Sequence, residues 1–157
     1  MKGNNMERRK FLSGMGLVAA AAVIAPVTEL KAVNFRETKP KVWEAEKSEQ
    51  AIKELFGAMP TESDKIKLSA PKLAENGGSI PITIKSDLDV ETVAFFQDAN
   101  PRSATIIFSV PEGQKVDYSF RVKMRQTAFV TAVIKTRDGK LYSAKQEVEV
   151  SIGGCGG

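Results

Sequence analysis

The stretch Val116-Asp117-Tyr118-Ser119-Phe120-Arg121-Val122-Lys123-Met124-Arg125 alternates apolar and polar residues without a fault. Successive side chains of an extended chain point to opposite faces, so a period of two describes a strand with one face in a core and one in water. Pro111-Glu112-Gly113 supplies a turn before it. The same grammar extends in both directions. Upstream, Ala104 to Val110 places Ile106, Phe108 and Val110 on one face, and Asn100-Pro101 turns the chain back to a strand over about Val90 to Gln97. Ile80, Ile82 and Ile84 alternate with Pro81, Thr83 and Lys85; Pro81 has no N–H to donate and marks an edge or a bulge. Asn76-Gly77-Gly78 closes a first strand that runs from Lys65, with Ile66 and Leu68, to about Leu73.

Downstream, Thr127 to Thr136 forms a sixth strand, and Asp138-Gly139 is the two-residue signature of a tight hairpin into a seventh, Leu141 to Ile152. In that last strand Tyr142, Ala144, Val148, Val150 and Ile152 face inward, opposite Ser143, Lys145, Glu147 and Glu149. Seven strands with regular turn signals make an all-β chain, an immunoglobulin-like antiparallel β-sandwich. The Cys-Trp-Cys pattern of antibody domains is absent, so the expectation concerns architecture alone.

Before the strands, a linker containing Trp43 leads to a short helix over Ser48 to Phe56. Ser48 is expected to cap it, Glu49 suits the first turn, Ile52, Leu55 and Phe56 share a face, and Gly57 with Pro60 stops it. So short a helix is not stable alone and needs a surface to dock on. The sixth strand offers one. Ala128, Val130, Ala132 and Ile134 form its inward face, yet Phe129 and Val133 sit on the other beside Thr127, Thr131 and Lys135. Either the helix near Ile52 or a second chain covers them, or they are scattered surface apolars.

The two ends carry the remaining signals. Residues 1–32 read as an export signal, with Arg8-Arg9-Lys10-Phe11-Leu12 followed by an apolar run from Leu17 to Ala25 and Pro26. The paired arginines resemble a twin-arginine signal, which implies a periplasmic destination and an export route for folded cargo. The apolar run is short of the ~20 residues of a spanning helix, so no membrane span is expected. Of 23 basic and 19 acidic residues, five and two fall in 1–32, which leaves 18 against 17 and a net charge of +1. Charges of both signs are interspersed, with no footprint for nucleic acid. The expected division is 1–32 as signal, 33–152 as helix plus β-sandwich, and 153–157 as a flexible C-terminal arm.

That arm is Gly153-Gly154-Cys155-Gly156-Gly157, and Cys155 is the sole cysteine of the 157 residues. Glycines carry no Cβ, so the thiol rides on a thin tether that fits a narrow pocket. No Lys, Arg or His lies within five residues of it, which leaves its pKa near the free value of about 8.5. It reads as a substrate thiol that another protein activates. An unpaired cysteine in an exported chain also fits intermolecular pairing. With no histidine the chain has no Ser-His-Asp or Cys-His arrangement and none of the usual zinc sites. Asp87, Asp89 and Glu91 lack the spacing of a metal loop and belong to a solvated turn, and Gly77-Gly78 lacks the strand-to-helix context of a phosphate loop. The expectation is a chain with no catalytic residues, no metal and no cofactor of its own.

The twin-arginine signal, Ala51-Ile52-Lys53-Glu54-Leu55-Phe56-Gly57, Leu73-Ala74-Glu75-Asn76-Gly77 and the terminal Gly-Gly-Cys-Gly-Gly together resemble the SoxY family, sulfur-carrier subunits of the bacterial thiosulfate-oxidising Sox system. The resemblance spans essentially all of the chain after the signal. It implies that Cys155 holds sulfur intermediates covalently while partner enzymes act on them. Those partners are a haem enzyme that joins thiosulfate to the thiol, a manganese hydrolase that releases sulfate, and a sulfane dehydrogenase. It also implies a heterodimer with a SoxZ-like subunit, a small β-sandwich exported together with the carrier.

Two rival readings remain at this level. A ubiquitin-like sulfur carrier also ends in Gly-Gly, but there the terminal carboxylate takes the sulfur in the cytoplasm. An exported structural β-sandwich cross-linked through Cys155 would form a lasting disulfide.

Overall fold

The alternating stretch over 116–125 becomes the seventh of nine strands in the computed structural model, which describes residues 33–151. The expected signal over 1–32, Ile152 and the 153–157 arm lie outside the described residues. In chain order the elements are α1 (Phe35–Thr38), α2 (Pro40–Glu44), α3 (Ser48–Phe56), β1 (Thr61–Glu62), β2 (Lys67–Ser69), β3 (Leu73–Ala74), β4 (Ile80–Ser86), β5 (Val90–Gln97), β6 (Ala104–Ser109), β7 (Val116–Val122), β8 (Ala128–Thr136) and β9 (Leu141–Val150). Two sheets form: β1-β9-β8-β5-β6, with β3 also on β9, and β2-β4-β7. The chain passes from one sheet to the other between β4 and β5, β6 and β7, and β7 and β8, the interleaving of an immunoglobulin-like sandwich.

The predicted inward faces meet between the sheets. Ile80, Ile82 and Ile84 from β4, Val93 and Phe95 from β5, and Val130, Ala132 and Ile134 from β8 are all buried in one cluster. Phe95 meets Phe120 edge to face with ring centroids 5.1 Å apart, and Phe108 meets Tyr118 in the same way at 4.7 Å. Burying side chains of this size stabilises the fold by roughly 1.5–3 kcal/mol each.

A second cluster covers the outer face of the larger sheet. Val42 and Ala45 with Ala51, Ile52 and Leu55 of α3 bury Ala94, Phe96 and Val133. The helix is therefore the cover for Val133, while Phe129, on the same face of β8, stays 42% exposed. The expected linker around Trp43 is itself helical. The Asn34 side chain accepts from the Arg36 N–H to start α1, Pro40 opens α2, and the Trp43 indole donates to the Phe35 carbonyl at 3.1 Å.

The helix starts differently from the expectation. Ser48 is the first helical residue and caps nothing; its backbone N–H and hydroxyl donate to the two carboxylate oxygens of Asp98, at 2.8 and 2.9 Å. A carboxylate fifty residues away satisfies the helix terminus and ties it to the end of β5. The other end is as expected, with Gly57 in the left-handed conformation at φ 73°.

The strand over Lys65 to Leu73 is divided. β2 pairs with β4 and β3 with β9, while β1, which lies before that stretch, also pairs with β9. Pro71 lies in the break, yet the facing keeps one parity across it: Ile66, Leu68, Ala70 and Ala74 pack on the core, whereas Leu73 points away and is 54% exposed. Both pairings with β9 are parallel, so the sandwich is not antiparallel throughout. Pro81 lies where β4 has no neighbour on the β2 side, because that pairing ends at Thr83. The β8–β9 loop holds three residues, since the Thr136 N–H donates to the Lys140 carbonyl around Arg137, Asp138 and Gly139. Gly139 alone has positive φ, 84°, so the turn is the one-glycine bulged type and not the two-residue form. Met124 is fully buried but lies beyond β7, held by its N–H to the Gly77 carbonyl at 2.8 Å.

Candidate functional site

Cys155 and its flanking Gly153, Gly154, Gly156 and Gly157 lie outside the described residues; what the structure supplies is their point of departure. β9 carries the chain to Val150 between β8 on one edge and β1 and β3 on the other. Its last bonds are closely set. The Glu149 N–H donates to the Lys72 carbonyl, Ser151 N–H to the Ala74 carbonyl at 3.0 Å, and Val150 N–H to the Thr127 hydroxyl at 2.9 Å. Ser151 is thereby fixed to the body, and Cys155 follows four residues later. An extended chain spans at most about 3.6 Å per residue, so the cysteine is confined to within about 14 Å of Ser151.

The surface around that point follows from strand register. Leu73 pairs with Glu149, and Phe129 with Glu147, so these four residues share the outer face with Lys145. Leu73 and Phe129 are both exposed and stand on opposite sides of β9. The Lys145 ammonium lies over the Phe129 ring, 4.3 Å from its centroid. The sequence offered Phe129 as an unexplained outward apolar residue. Leu73 was missed, although the inward Ile66 and Leu68 already place an odd-numbered residue of that stretch on the outer face.

Elsewhere the charges are spent in pairs. Asp87 meets Lys115 at 3.4 Å, Asp89 meets Arg137 at 3.1 Å and Glu91 meets Lys135 at 2.9 Å. Among the described residues no group of three or more His, Cys, Asp or Glu side chains is placed to hold a metal ion. Asp138 has its carboxyl lowered to about 2 by hydrogen bonds from Lys140 and Thr136, and the Lys140 ammonium is raised by the same carboxylate. This pair belongs to the β8–β9 turn, at the other end of β9 from Ser151. A cleft of about 170 Å³ between Lys65, Lys67, Lys85 and Lys115, and a groove of about 510 Å³ by Phe35, Leu55 and Leu141, also contain no residue from the C-terminal end of β9. No helix among the described residues is long and apolar enough to cross a membrane.

A two-sheet immunoglobulin-like sandwich, overlaid by a short helix and with its last strand paired on both edges, defines a class of small β-sandwich proteins. Solved structures that share the fold include two examples. One is the sulfur carrier protein SoxY from Chlorobium limicola f thiosulfatophilum, 35% identical, with a TM-score of 0.60 over 66% of this chain and 96% of that one. The other is superoxide reductase (neelaredoxin) from Ignicoccus hospitalis, 14% identical, with a TM-score of 0.53 over 60% of this chain and 98% of that one; it is a likeness of fold alone. Comparison with curated proteins finds no match. The profile of the family described as sulfur oxidation protein SoxY matches residues 52–155, and the chain belongs to the SoxY family.

Proposed function

We propose that the protein is a periplasmic sulfur carrier that holds thiosulfate-derived sulfur covalently on Cys155 while partner enzymes process it. One observation carries this reading. The family match runs through residue 155, the sole cysteine of the chain, set between two glycine pairs at the C-terminus. The paired Arg8-Arg9 motif supports export as folded cargo.

The chemistry divides between carrier and partners. In loading, the Cys155 sulfur bonds to the outer sulfur of thiosulfate, the thiol proton leaves, and an electron pair passes to the haem enzyme. Cys155 then carries a thiosulfonate. In hydrolysis by the manganese enzyme the bond to the sulfonate group breaks, the oxygen of water leaves in sulfate, and a persulfide remains on Cys155. A sulfane dehydrogenase oxidises that sulfur further, with oxygen from water and with the electrons passing to the dehydrogenase. The carrier contributes a thiol and no catalytic residue. Its glycines let the sulfur enter a narrow site, since nothing beside it presents a Cβ. A SoxZ-like subunit completes the exported unit.

Intact-mass analysis of the protein isolated without reductant from its native compartment tests the reading. The expected result is sulfane, sulfonate and thiosulfonate increments confined to the C-terminal peptide. A uniformly bare thiol during thiosulfate oxidation would overturn it, and a lasting disulfide dimer in most molecules would favour the cross-linked structural protein.

A further inference from the structure

We propose that the outer face at the end of β9, centred on Leu73 and Phe129, is the docking surface for the enzyme that acts on Cys155. The proposal rests on the carrier reading above and adds where the partner sits. Reach decides the place. With Ser151 fixed by Ala74 and Cys155 no more than about 14 Å away along the chain, an enzyme that takes the thiol must bring its pocket to this end of the sandwich. Leu73 neighbours Glu149 in register, and Phe129 neighbours Glu147, so they stand about 7 and about 13 Å back along the strand from Ser151.

The character of the face agrees. Leu73 and Phe129 are 54% and 42% exposed, whereas Val133, four residues along the same face of β8, is completely covered by α3 and the segment before it. The helix layer stops short of the end from which the tail leaves. Glu147 and Glu149 of β9 lie between the two apolar residues, and Lys145 stacks on Phe129, so the face has two apolar points with a charged strip between them. The fitting partner has an apolar contact on each side of a polar strip that meets these charges, next to a narrow thiol-accepting pocket.

The test substitutes Leu73→Thr and Phe129→Thr, singly and together, threonine being chosen to keep strand preference. Each variant, assembled with its companion subunit, is loaded with thiosulfate by the haem enzyme. The double variant is expected to raise KM for the carrier by about tenfold, equivalent to about 1.4 kcal/mol, with kcat within about twofold. Alkylation of Cys155 by iodoacetamide should proceed at the unaltered rate, and Met59→Thr, at an exposed apolar residue elsewhere, should leave KM unchanged. Loading with unchanged KM in the double variant overturns the docking surface and leaves the carrier reading standing. An unaltered chain whose Cys155 is alkylated but never loaded overturns the carrier reading and this one with it. Failure of the double variant to assemble with the companion subunit assigns the face to that subunit and also overturns the proposal.

Discussion

Replacing Asp98 with Ala removes both acceptors from the start of α3 while leaving every apolar contact of that helix in place. Ser48 would lose bonds of 2.8 and 2.9 Å to a carboxylate, and its own residue is 5% exposed, so water replaces them poorly. Hydrogen bonds to a charged partner contribute roughly 1.5–3 kcal/mol each when one side is deleted, and the favourable field of a helix N-terminus adds about 0.3–1 kcal/mol. Partial replacement by solvent, and a helix still held by Ala51, Ile52 and Leu55, bring the expected net loss to about 2 kcal/mol. For a domain of this size that lowers Tm by about 6–10 °C. Thermal unfolding followed by circular dichroism measures it, with Asp98→Asn, which keeps one acceptor, at about half the loss. A double-mutant cycle with Ser48→Ala should return a coupling of about 1 kcal/mol. A fall of less than about 2 °C for Asp98→Ala would show that the helix is held by its apolar face alone and refute the carboxylate's role.

Three further outcomes are expected. Cys155→Ser should abolish sulfur loading in the intact-mass experiment while leaving Tm within about 2 °C, because substitutions that remove no packed group seldom exceed ~0.5 kcal/mol. Asp138, with a folded pKa of about 2 against the ordinary 3.8, stabilises the fold above the ordinary value and loses that contribution as pH falls through about 2. Carboxyl-carbon NMR should give that midpoint, and Lys140→Gln should move it upward. Gly139→Ala, forced to keep φ near 84°, should destabilise by about 1 kcal/mol and lower the urea midpoint with no change in m.

Much of the sandwich was readable from period-two patterns, because a half-buried strand leaves an unmistakable record in its side chains. The core faces of β4, β7 and β8 are those the alternation named. What escaped were features set by distant residues. Ser48 looks like a helix cap in isolation, and nothing local reveals that Asp98 will arrive from β5. β1 and β3 are two residues each, too short for any period, and exist only because β9 offers a free edge. Asp138-Gly139 suggested a two-residue loop, but the single positive φ, at Gly139, fits a three-residue one. The candidate site divides in the same way. Cys155 was singled out from its neighbours in sequence and from the histidines the chain lacks, and it lies outside the described residues, whereas the surface beside it includes Leu73, whose outward position follows from the inward Leu68 and Ala74 on either side.

The two short parallel strands on β9 have a mechanical meaning. Because β1 and β3 run in the same direction as β9, the chain enters β1 at the end opposite to that from which it leaves β9. Tension between the chain before Thr61 and the chain after Val150 therefore pulls along the strands and loads the bonds on that edge of β9 together in shear, where an antiparallel pair would peel one bond at a time. A body built this way tolerates being tugged by its tail.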